Sequence, residues 1–319
     1  MTDLPASYQS TKVVSTPSFS QKILIWIQAM RAPFFTASII PLVLGMAIAW
    51  NEYRIFDPFL GFLTLIAGIT IHAGTNLSND YFDQGTDNIN EDFTAFSGGS
   101  RMIQNEILEA RQIMIASLLC YIVGIFTAIF IVLITQGIIL IIFLLIAVLL
   151  GIFYTAVPIR LSYHGLGEIA VFVGFGPLGV LSAYYIQMGH LNSIIPFIAS
   201  IPIAILIAML LFINEFQDFE ADKDAGKNTL VVSLGKKTSL KVYIYGMVLV
   251  YVSLFIVLIL KGFTITFLLP FMTLPLVFKA TQVAKRHYTS IKELIPANAL
   301  TIIIHFGFGL LLALAFVIS

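Results

Sequence analysis

The sequence predicts an all-α protein that crosses a membrane with nine transmembrane helices. Its mean hydropathy is +0.97, and 59% of its 319 residues are hydrophobic while 11% are charged. The apolar residues form runs close to 20 residues long, the length that crosses a bilayer as a helix. These runs are rich in isoleucine, leucine and phenylalanine and do not alternate with polar residues, so helices are expected and not a membrane β-barrel.

Nine apolar segments are expected to span the membrane within one domain, residues 21–319. They are 34–50, 59–78, 113–133, 137–154, 166–187, 195–216, 241–260, 263–280 and 297–318. Before the first span, residues 21–31 have apolar side chains at helical spacing, which predicts an amphipathic helix at the membrane surface. Residues 1–20 are polar, rich in Ser and Thr, and lack a signal-peptide pattern, so we expect a disordered cytosolic tail.

The fifth segment contains a glycine pattern that resembles a dinucleotide-binding loop. Gly174, Gly176 and Gly179 match G-x-G-x-x-G, but they lie in an apolar run that also contains Pro177. A dinucleotide loop follows a strand, and no strand is expected here. The pattern instead indicates close helix packing or a kink.

Basic residues are distributed unevenly between the two sets of loops. Apart from Arg54 and Lys261, all of the 17 Lys and Arg residues fall in the N-terminal stretch or the even-numbered loops. The positive-inside rule therefore predicts a multi-pass protein of the plasma or inner membrane, with a cytosolic N-terminus and an external C-terminus. The net charge of zero does not favour a nucleic-acid partner, and no feature indicates an obligate protein partner.

Most acidic residues lie in the second and sixth loops, both on the predicted cytosolic side. Of the 17 acids, seven are in the second loop and five in the sixth. They are Asp80, Asp83, Asp87, Glu91, Asp92, Glu106 and Glu109, and then Glu215, Asp218, Glu220, Asp222 and Asp224. Long polar loops on a compact scaffold commonly carry function, so these two loops are the candidate site.

The second helix runs out into the sequence NDYFDQGTD, residues 79–87. If the helix continues past the bilayer, Asp80, Asp83 and Asp87 share one face, with Asn79 beside them. The sixth helix runs out in a similar way, into a stretch that begins at Asn214.

In this second acidic stretch, Asp218 and Asp222 are four residues apart and Asn214 lies one turn earlier. Like charges at this spacing repel each other, so a compensating cation is expected. Carboxylate and amide oxygens suit Mg²⁺, which also favours phosphate ligands. The sequence therefore predicts a magnesium site, with candidate ligands Asn79, Asp80, Asp83, Asp87, Asp218 and Asp222.

Basic residues and glycines accompany the acids, which indicates a diphosphate ligand. The segment FSGGSR, residues 96–101, offers backbone N–H groups and the guanidinium fork of Arg101. The candidate diphosphate-binding residues are Arg101, Arg160, Lys223, Lys227, Asn79 and Asn214. Tyr154, at the cytosolic end of the fourth span, is a further candidate.

Together these residues resemble the UbiA superfamily of intramembrane prenyltransferases. NDYFDQGTD is similar to its NDxxDxxxD motif, and the stretch from Asp218 to Asp222 is similar to its DxxxD motif. The resemblance covers the chain after residue 20 and implies a UbiA-like helical bundle. Three stretches most resemble 1,4-dihydroxy-2-naphthoate polyprenyltransferases: NLSNDYFD, YTAVPIRLSYHGLGE with FGPLGVLSAYYIQMG, and NEFQDFEADKDAGKNTL.

The resemblance implies Mg²⁺-dependent transfer of a polyprenyl group from an allylic polyprenyl diphosphate to an aromatic acceptor, as in menaquinone synthesis. It implies catalytic roles for Asp83, Asp87, Asp218, Asp222 and Tyr154. The hydroxybenzoate branch has Tyr-x-x-x-Lys after the fourth helix, whereas Pro158 follows Tyr154 at that offset here and Arg160 is the nearest cation. This departure argues against hydroxybenzoate.

Other acceptors also remain open, namely homogentisate, a porphyrin-type ring or a glycerol lipid. A cation-coupled transporter is the rival from another class, since acids in membrane proteins can coordinate ions along a path. It is disfavoured because the acids lie at helix ends on one side and not at mid-membrane.

Overall fold

The computed structural model describes residues 18–90, 93–94 and 96–319. Most of the predicted N-terminal tail therefore lies outside the described residues. Helix α1, Phe19–Ala29, begins two residues earlier than expected because the Ser18 side chain caps it by accepting a hydrogen bond from the Gln21 amide. Phe19 and Leu24 are among its exposed apolar side chains, as expected for a helix at a membrane surface.

Twelve further α-helices follow, and they confirm an all-α, multi-pass membrane fold. They are α2 Thr36–Tyr53, α3 Pro58–Phe82, α4 Gln84–Ile89, α5 Ala110–Thr135, α6 Ile139–Ile152, α7 Gly167–Val173, α8 Gly179–Met188, α9 Ile195–Asp224, α10 Leu230–Leu234, α11 Lys236–Leu260, α12 Leu274–His287 and α13 Ile291–Ile318. In the described part of the chain, eight helical stretches are long and apolar enough to cross a membrane.

The predicted fourth span is shorter than expected. Helix α6 has 14 residues, which corresponds to a length of about 21 Å against a hydrocarbon core of about 30 Å. The expected segment was 137–154, but the chain leaves the helix after Ile152 and turns through residues 153–160. The nine expected segments are therefore all helical, although α6 is too short to cross a bilayer alone. In the eighth segment a 3-10 helix, Ile265–Thr273, leads into α12.

The glycine pattern in the fifth segment forms a π-helical turn between α7 and α8, Gly174–Leu178. Pro177 lies inside this turn and cannot donate a backbone hydrogen bond. A Cβ atom at Gly176 would lie 2.3 Å from the Ala204 Cβ, so this glycine allows α9 to pack closely. Packing and helix distortion, and not nucleotide binding, explain the pattern.

Helix α9 is the centre of the bundle and packs against α2, α7, α11 and α13. Its Phe212 and Phe216 side chains are fully buried, as is Phe308 of α13. A core built around α9 fixes the position of the acids at its C-terminal end. Helices α3 and α5 also pack extensively against each other, and α3 carries the first acidic stretch.

Candidate active site

One cavity of ≈ 380 Å³ brings the two acidic stretches together. At its polar end it is lined by Asn79, Asp83, Asp87, Asn214, Asp218, Asp222 and Lys227. The rest of its wall is largely apolar and comes from α2, α3, α5, α6 and α7–α9. The cavity therefore joins a charged chamber to a hydrocarbon-like one.

The acids of α9 lie on one continuous helix. The helix extends beyond the predicted segment to Asp224, so Asn214, Asp218 and Asp222 lie one turn apart on the cavity face. The Asn214 Oδ1 accepts a hydrogen bond of 2.7 Å from the Asn298 Nδ2 of α13. This bond fixes the orientation of the Asn214 amide.

The acids of the second loop lie on two helices, so the expectation of one continuous helical face is wrong. Helix α3 ends at Phe82, and Asp83 leaves the helical conformation with φ −90° and ψ 3°. The chain then starts α4, which carries Asp87. Both Asp83 and Asp87 still line the cavity because the break turns α4 across its end.

Asp80 is placed differently from the other predicted metal ligands. Its carboxylate pairs with the Arg31 guanidinium at 2.5 Å and accepts a hydrogen bond from the Ser100 amide at 3.2 Å. Asp80 lies outside the cavity lining that the described residues form. It connects the segment between α1 and α2 to the Gly-Gly loop.

Lys227 joins the two acidic stretches. Its Nζ lies 3.5 Å from the Asp83 Oδ2 and 3.7 Å from the Asp222 Oδ1. Burial alone would lower the pKa of the Lys227 ammonium, but the carboxylates of Asp83 and Asp222 outweigh it and raise the pKa well above its usual value. A permanent positive charge therefore lies between the two motifs, where a phosphate oxygen could contact it.

The Gly-Gly loop covers Asp87. Both glycines have positive φ, +73° at Gly98 and +77° at Gly99, which other residues rarely adopt. A Cβ atom at Gly99 would lie 2.3 Å from the Asp87 Oδ2. The Nη1 of Arg101 donates a 2.5 Å hydrogen bond to the Asp87 carbonyl oxygen, and its guanidinium lies 4.2 Å from the Phe93 ring centroid.

The other predicted phosphate-binding cations are not on the cavity wall. Arg101 donates its hydrogen bond to the Asp87 backbone carbonyl and not into the cavity. The Arg160 guanidinium lies 4.5 Å from the Tyr163 ring centroid, and Lys223 is exposed. Of the four predicted cations, Lys227 alone lines the cavity as the described residues define it. Tyr154 does line the cavity, as expected for a residue close to the substrate.

The donor set of the polar chamber fits Mg²⁺. Five carboxylates line the cavity, Asp83, Asp87, Glu215, Asp218 and Asp222, against the two cations Arg31 and Lys227. Burial raises the pKa of the Asp87 carboxyl to about 7, so its charge is poorly compensated by protein groups. In the described ranges no three His, Cys, Asp or Glu side chains form a closed cage. Oxygens of asparagine, water and phosphate would complete the coordination, which is the usual environment of Mg²⁺.

Several residues that support the site were not predicted. Tyr163 donates its hydroxyl to the Asp83 Oδ1 at 2.9 Å, and the Thr155 hydroxyl donates to the Asn79 Oδ1 at 2.9 Å. Asn90 donates to the Asp218 Oδ1 at 2.7 Å. These contacts join residues far apart in sequence. Of the supporting residues, only Asn298, which contacts Asn214, could have been singled out from the sequence, because it is a polar amide within an apolar span.

Comparison with known proteins agrees with this architecture. Residues 38–295 match the UbiA prenyltransferase family. The chain is 29% identical over 303 residues to UbiA prenyltransferase domain-containing protein 1 of Xenopus tropicalis, covering 93% of this chain and 84% of that protein. The human protein of the same name is 29% identical over 304 residues, with coverage of 93% and 86%. The one from Dictyostelium discoideum is 30% identical over 258 residues, 77% of each chain.

Solved structures share the fold at low sequence identity. A UbiA homologue from Archaeoglobus fulgidus bound to GPP and Mg²⁺ has a TM-score of 0.61 at 16% identity, covering 92% of this chain and all (100%) of that one. The apo structure of a UbiA homologue from Aeropyrum pernix K1 has a TM-score of 0.66 at 13% identity, with coverage of 85% and 96%. With a family match over most of its length, the chain belongs to the UbiA prenyltransferase family and is an enzyme that transfers prenyl groups.

Proposed function

We propose that this enzyme transfers a polyprenyl group from an allylic polyprenyl diphosphate to 1,4-dihydroxy-2-naphthoate, with Mg²⁺ as cofactor. The observation that carries the proposal is the single cavity that joins both acidic motifs to an apolar chamber. A diphosphate fits the charged end, and a polyprenyl chain fits the apolar end. Solved UbiA homologues bound to GPP or DMAPP with Mg²⁺ support a prenyl diphosphate donor.

Residues of this chain would hold the donor by its diphosphate. Asn79, Asp83 and Asp87 would hold one metal ion, and Asn214, Asp218 and Asp222 the other. When bound, Mg²⁺ would neutralise the diphosphate oxygens as charge develops on the leaving group. Lys227 lies between the motifs and is placed to donate hydrogen bonds to the same oxygens.

The apolar chamber would protect the allylic cation that remains after the diphosphate leaves. Phe34, Phe143 and Phe175 line this part of the cavity. Aromatic faces attract a cation, and a dry chamber excludes the water that would quench it. The electron-rich ring of the acceptor then attacks the terminal allylic carbon, and the attacked ring carbon loses the group it carries, a proton or, at the carboxylated carbon, CO₂.

The acceptor is the finer part of the proposal and rests on sequence similarity. The three stretches quoted above resemble naphthoate enzymes, and Pro158 occupies the position of the lysine in the hydroxybenzoate branch. The alternatives are 4-hydroxybenzoate, homogentisate, a porphyrin-type ring or a glycerol lipid. We place the reaction at the cytosolic face of the cell membrane, because the basic loops are predicted to lie on the same side as both motifs.

The test is an acceptor panel with purified protein in nanodiscs. We expect Mg²⁺-dependent release of diphosphate from geranylgeranyl diphosphate together with a prenylated naphthoquinol detected by mass spectrometry. Prenylation of a different acceptor on the panel would overturn the naphthoate proposal but leave the proposed prenyl diphosphate site standing. Failure to consume any polyprenyl diphosphate at millimolar Mg²⁺ would overturn the donor proposal itself.

A further inference from the structure

A buried histidine and serine form a second polar feature of the cavity, within its apolar wall. The Ser38 Oγ of α2 lies 2.7 Å from the His72 Nδ1 of α3, and both residues line the cavity. His72 is only 7% exposed. A polar group buried among apolar side chains is costly unless it has hydrogen-bond partners, so this pair requires an explanation.

Other hydroxyl groups in the apolar wall are satisfied within their own helices. Thr64, Thr75 and Ser182 each donate to the carbonyl oxygen four residues earlier, over distances of 2.6 to 3.0 Å. Such hydroxyls have no need of a ligand. Ser38 differs because its contact is the His72 ring and not its own helix.

The His72 ring is held in place with one nitrogen available. Its centroid lies 5.5 Å from that of Phe35 and 4.8 Å from that of Phe175, and both rings contact it at an angle. Ser38 occupies Nδ1, while Nε2 has no hydrogen-bond partner among the described residues. In either neutral tautomer, the fixed ring presents Nε2 to a molecule in the cavity as a donor or an acceptor.

The position of His72 along α3 limits which groups of a bound substrate can contact its Nε2. His72 precedes Asn79 by seven residues on the same helix, a rise of about 10 Å. The diphosphate at the acidic end is therefore too distant, and a polyprenyl chain has no polar atom. A hydroxyl can act as donor or acceptor, so it matches Nε2 in both tautomers.

We propose that the Ser38–His72 pair binds a ring hydroxyl of the acceptor through the His72 Nε2 and thereby selects hydroxylated rings. The proposal rests on the proposed function, since it requires an aromatic acceptor in this cavity. It adds a specificity contact on α3, apart from the acidic motifs. Ser38 acts as a positioning residue, because its hydroxyl contacts Nδ1 and fixes the orientation of the ring.

The test compares His72→Phe with wild type on three acceptors: 1,4-dihydroxy-2-naphthoate and the two monohydroxy-2-naphthoates that lack one ring hydroxyl. Phenylalanine keeps the packing between Phe35 and Phe175 but removes Nε2. We expect kcat/KM for the dihydroxy acceptor to fall about tenfold, mainly through KM, while KM for the diphosphate stays within twofold. For the analogue that lacks the bound hydroxyl, wild type and His72→Phe should have equal kcat/KM. The two enzymes are compared on the same acceptor, so differences in intrinsic ring reactivity between acceptors cancel.

Two further variants separate hydrogen bonding from packing. His72→Gln, which keeps a polar group at the end of the side chain, should recover much of the lost discrimination. His305→Phe is the matched control, because His305 is also fully buried in a span, has both ring nitrogens unpartnered among the described residues, and does not line the cavity. It should leave the ratios between acceptors unchanged.

An equal loss with all three acceptors, or no loss with any, would overturn the hydroxyl contact and leave the proposed function standing. Wild-type enzyme that prenylates none of the three would instead overturn the proposed naphthoate acceptor, and this contact with it. Thermal unfolding in detergent identifies any variant that has failed to fold. If His72→Phe does not fold, the ratios of kcat/KM between acceptors measured for His72→Gln decide whether the contact exists.

Discussion

The two acidic motifs are similar in sequence but are built differently. Asn214, Asp218 and Asp222 lie on one unbroken helix within the most buried part of the bundle. Asp83 and Asp87 lie on either side of a helix break, and Asp87 depends on a covering loop for its position. The α9 motif is thus rigid by secondary structure alone, whereas the motif that spans α3 and α4 requires tertiary contacts.

This difference indicates which parts of the site are able to move. A continuous helix packed on α2, α11 and α13 holds its carboxylates regardless of the ligand. The helix break, the Gly-Gly loop and Lys227 can adjust as a diphosphate enters, because loop residues have fewer packing contacts. We therefore expect substitutions around α4 to change ligand binding more than fold stability.

The largest expected effect is the loss of a carboxylate from either motif. Asp83→Asn or Asp222→Asn should lower prenyl transfer at least about a thousandfold, since each removes a charge from a predicted metal ligand and from the contact with Lys227. The measurement is product formation at saturating Mg²⁺. Asp224→Asn is the matched control: this aspartate is exposed at the end of α9 and does not line the cavity. Turnover near wild type in Asp83→Asn would remove Asp83 from the metal site.

A methyl group in the Gly-Gly loop should affect only the broken motif. Gly99→Ala places a Cβ atom 2.3 Å from the Asp87 Oδ2 at a φ of +77°, so Asp87 or the loop must shift. We expect transfer to fall roughly a hundredfold. Gly85→Ala on α4 is the control, because nothing lies within 4 Å of its Cβ position. If both alanine variants retained full activity, the loop would have no part in positioning Asp87.

Supporting hydrogen bonds offer a direct comparison of the motifs. Asn298→Leu removes the donor to Asn214, and Tyr163→Phe removes the donor to Asp83. We expect the Mg²⁺ concentration for half-maximal activity to rise about 10- to 100-fold in Tyr163→Phe, because Asp83 lies at the helix break and depends on this contact. The rise in Asn298→Leu should be smaller, because the continuous helix α9 still positions Asn214.

The control for these two variants is Thr301→Val. Thr301 lies on α13, as Asn298 does, and the substitution removes its buried hydroxyl, which is hydrogen-bonded to the Tyr243 hydroxyl of α11. Its Mg²⁺ dependence should match wild type even if its unfolding temperature falls. A larger shift in Asn298→Leu than in Tyr163→Phe would contradict the ranking of the two motifs.

The smallest expected effect is outside the site. Glu106→Gln and Glu109→Gln, either alone or combined, should change transfer by less than about twofold, since both side chains are exposed beyond the Gly-Gly loop. Glutamine at position 109 can also still cap α5. Steady-state kinetics of the double variant provide the check. A loss comparable to that of Gly99→Ala would extend the site to the start of α5.

Sequence alone predicted the helices and both motifs because these depend on local patterns. Apolar runs specify spans, and Asn214, Asp218 and Asp222 share a face wherever a helix continues. It could not predict the break at Asp83, which places Asp87 on a separate helix. It also could not predict the pairing of Asp80 with Arg31, since that contact joins residues 49 positions apart.

The central claim is that the two motifs form one magnesium–diphosphate site. It is tested most directly by calorimetric titration of a non-reactive allylic thiodiphosphate, with Mg²⁺ stoichiometry measured by equilibrium dialysis. We expect two Mg²⁺ ions per protein only when the analogue is present, and fewer than two in both Asp83→Asn and Asp222→Asn. Tight analogue binding without Mg²⁺, or an unchanged stoichiometry of two in both variants, would contradict the account.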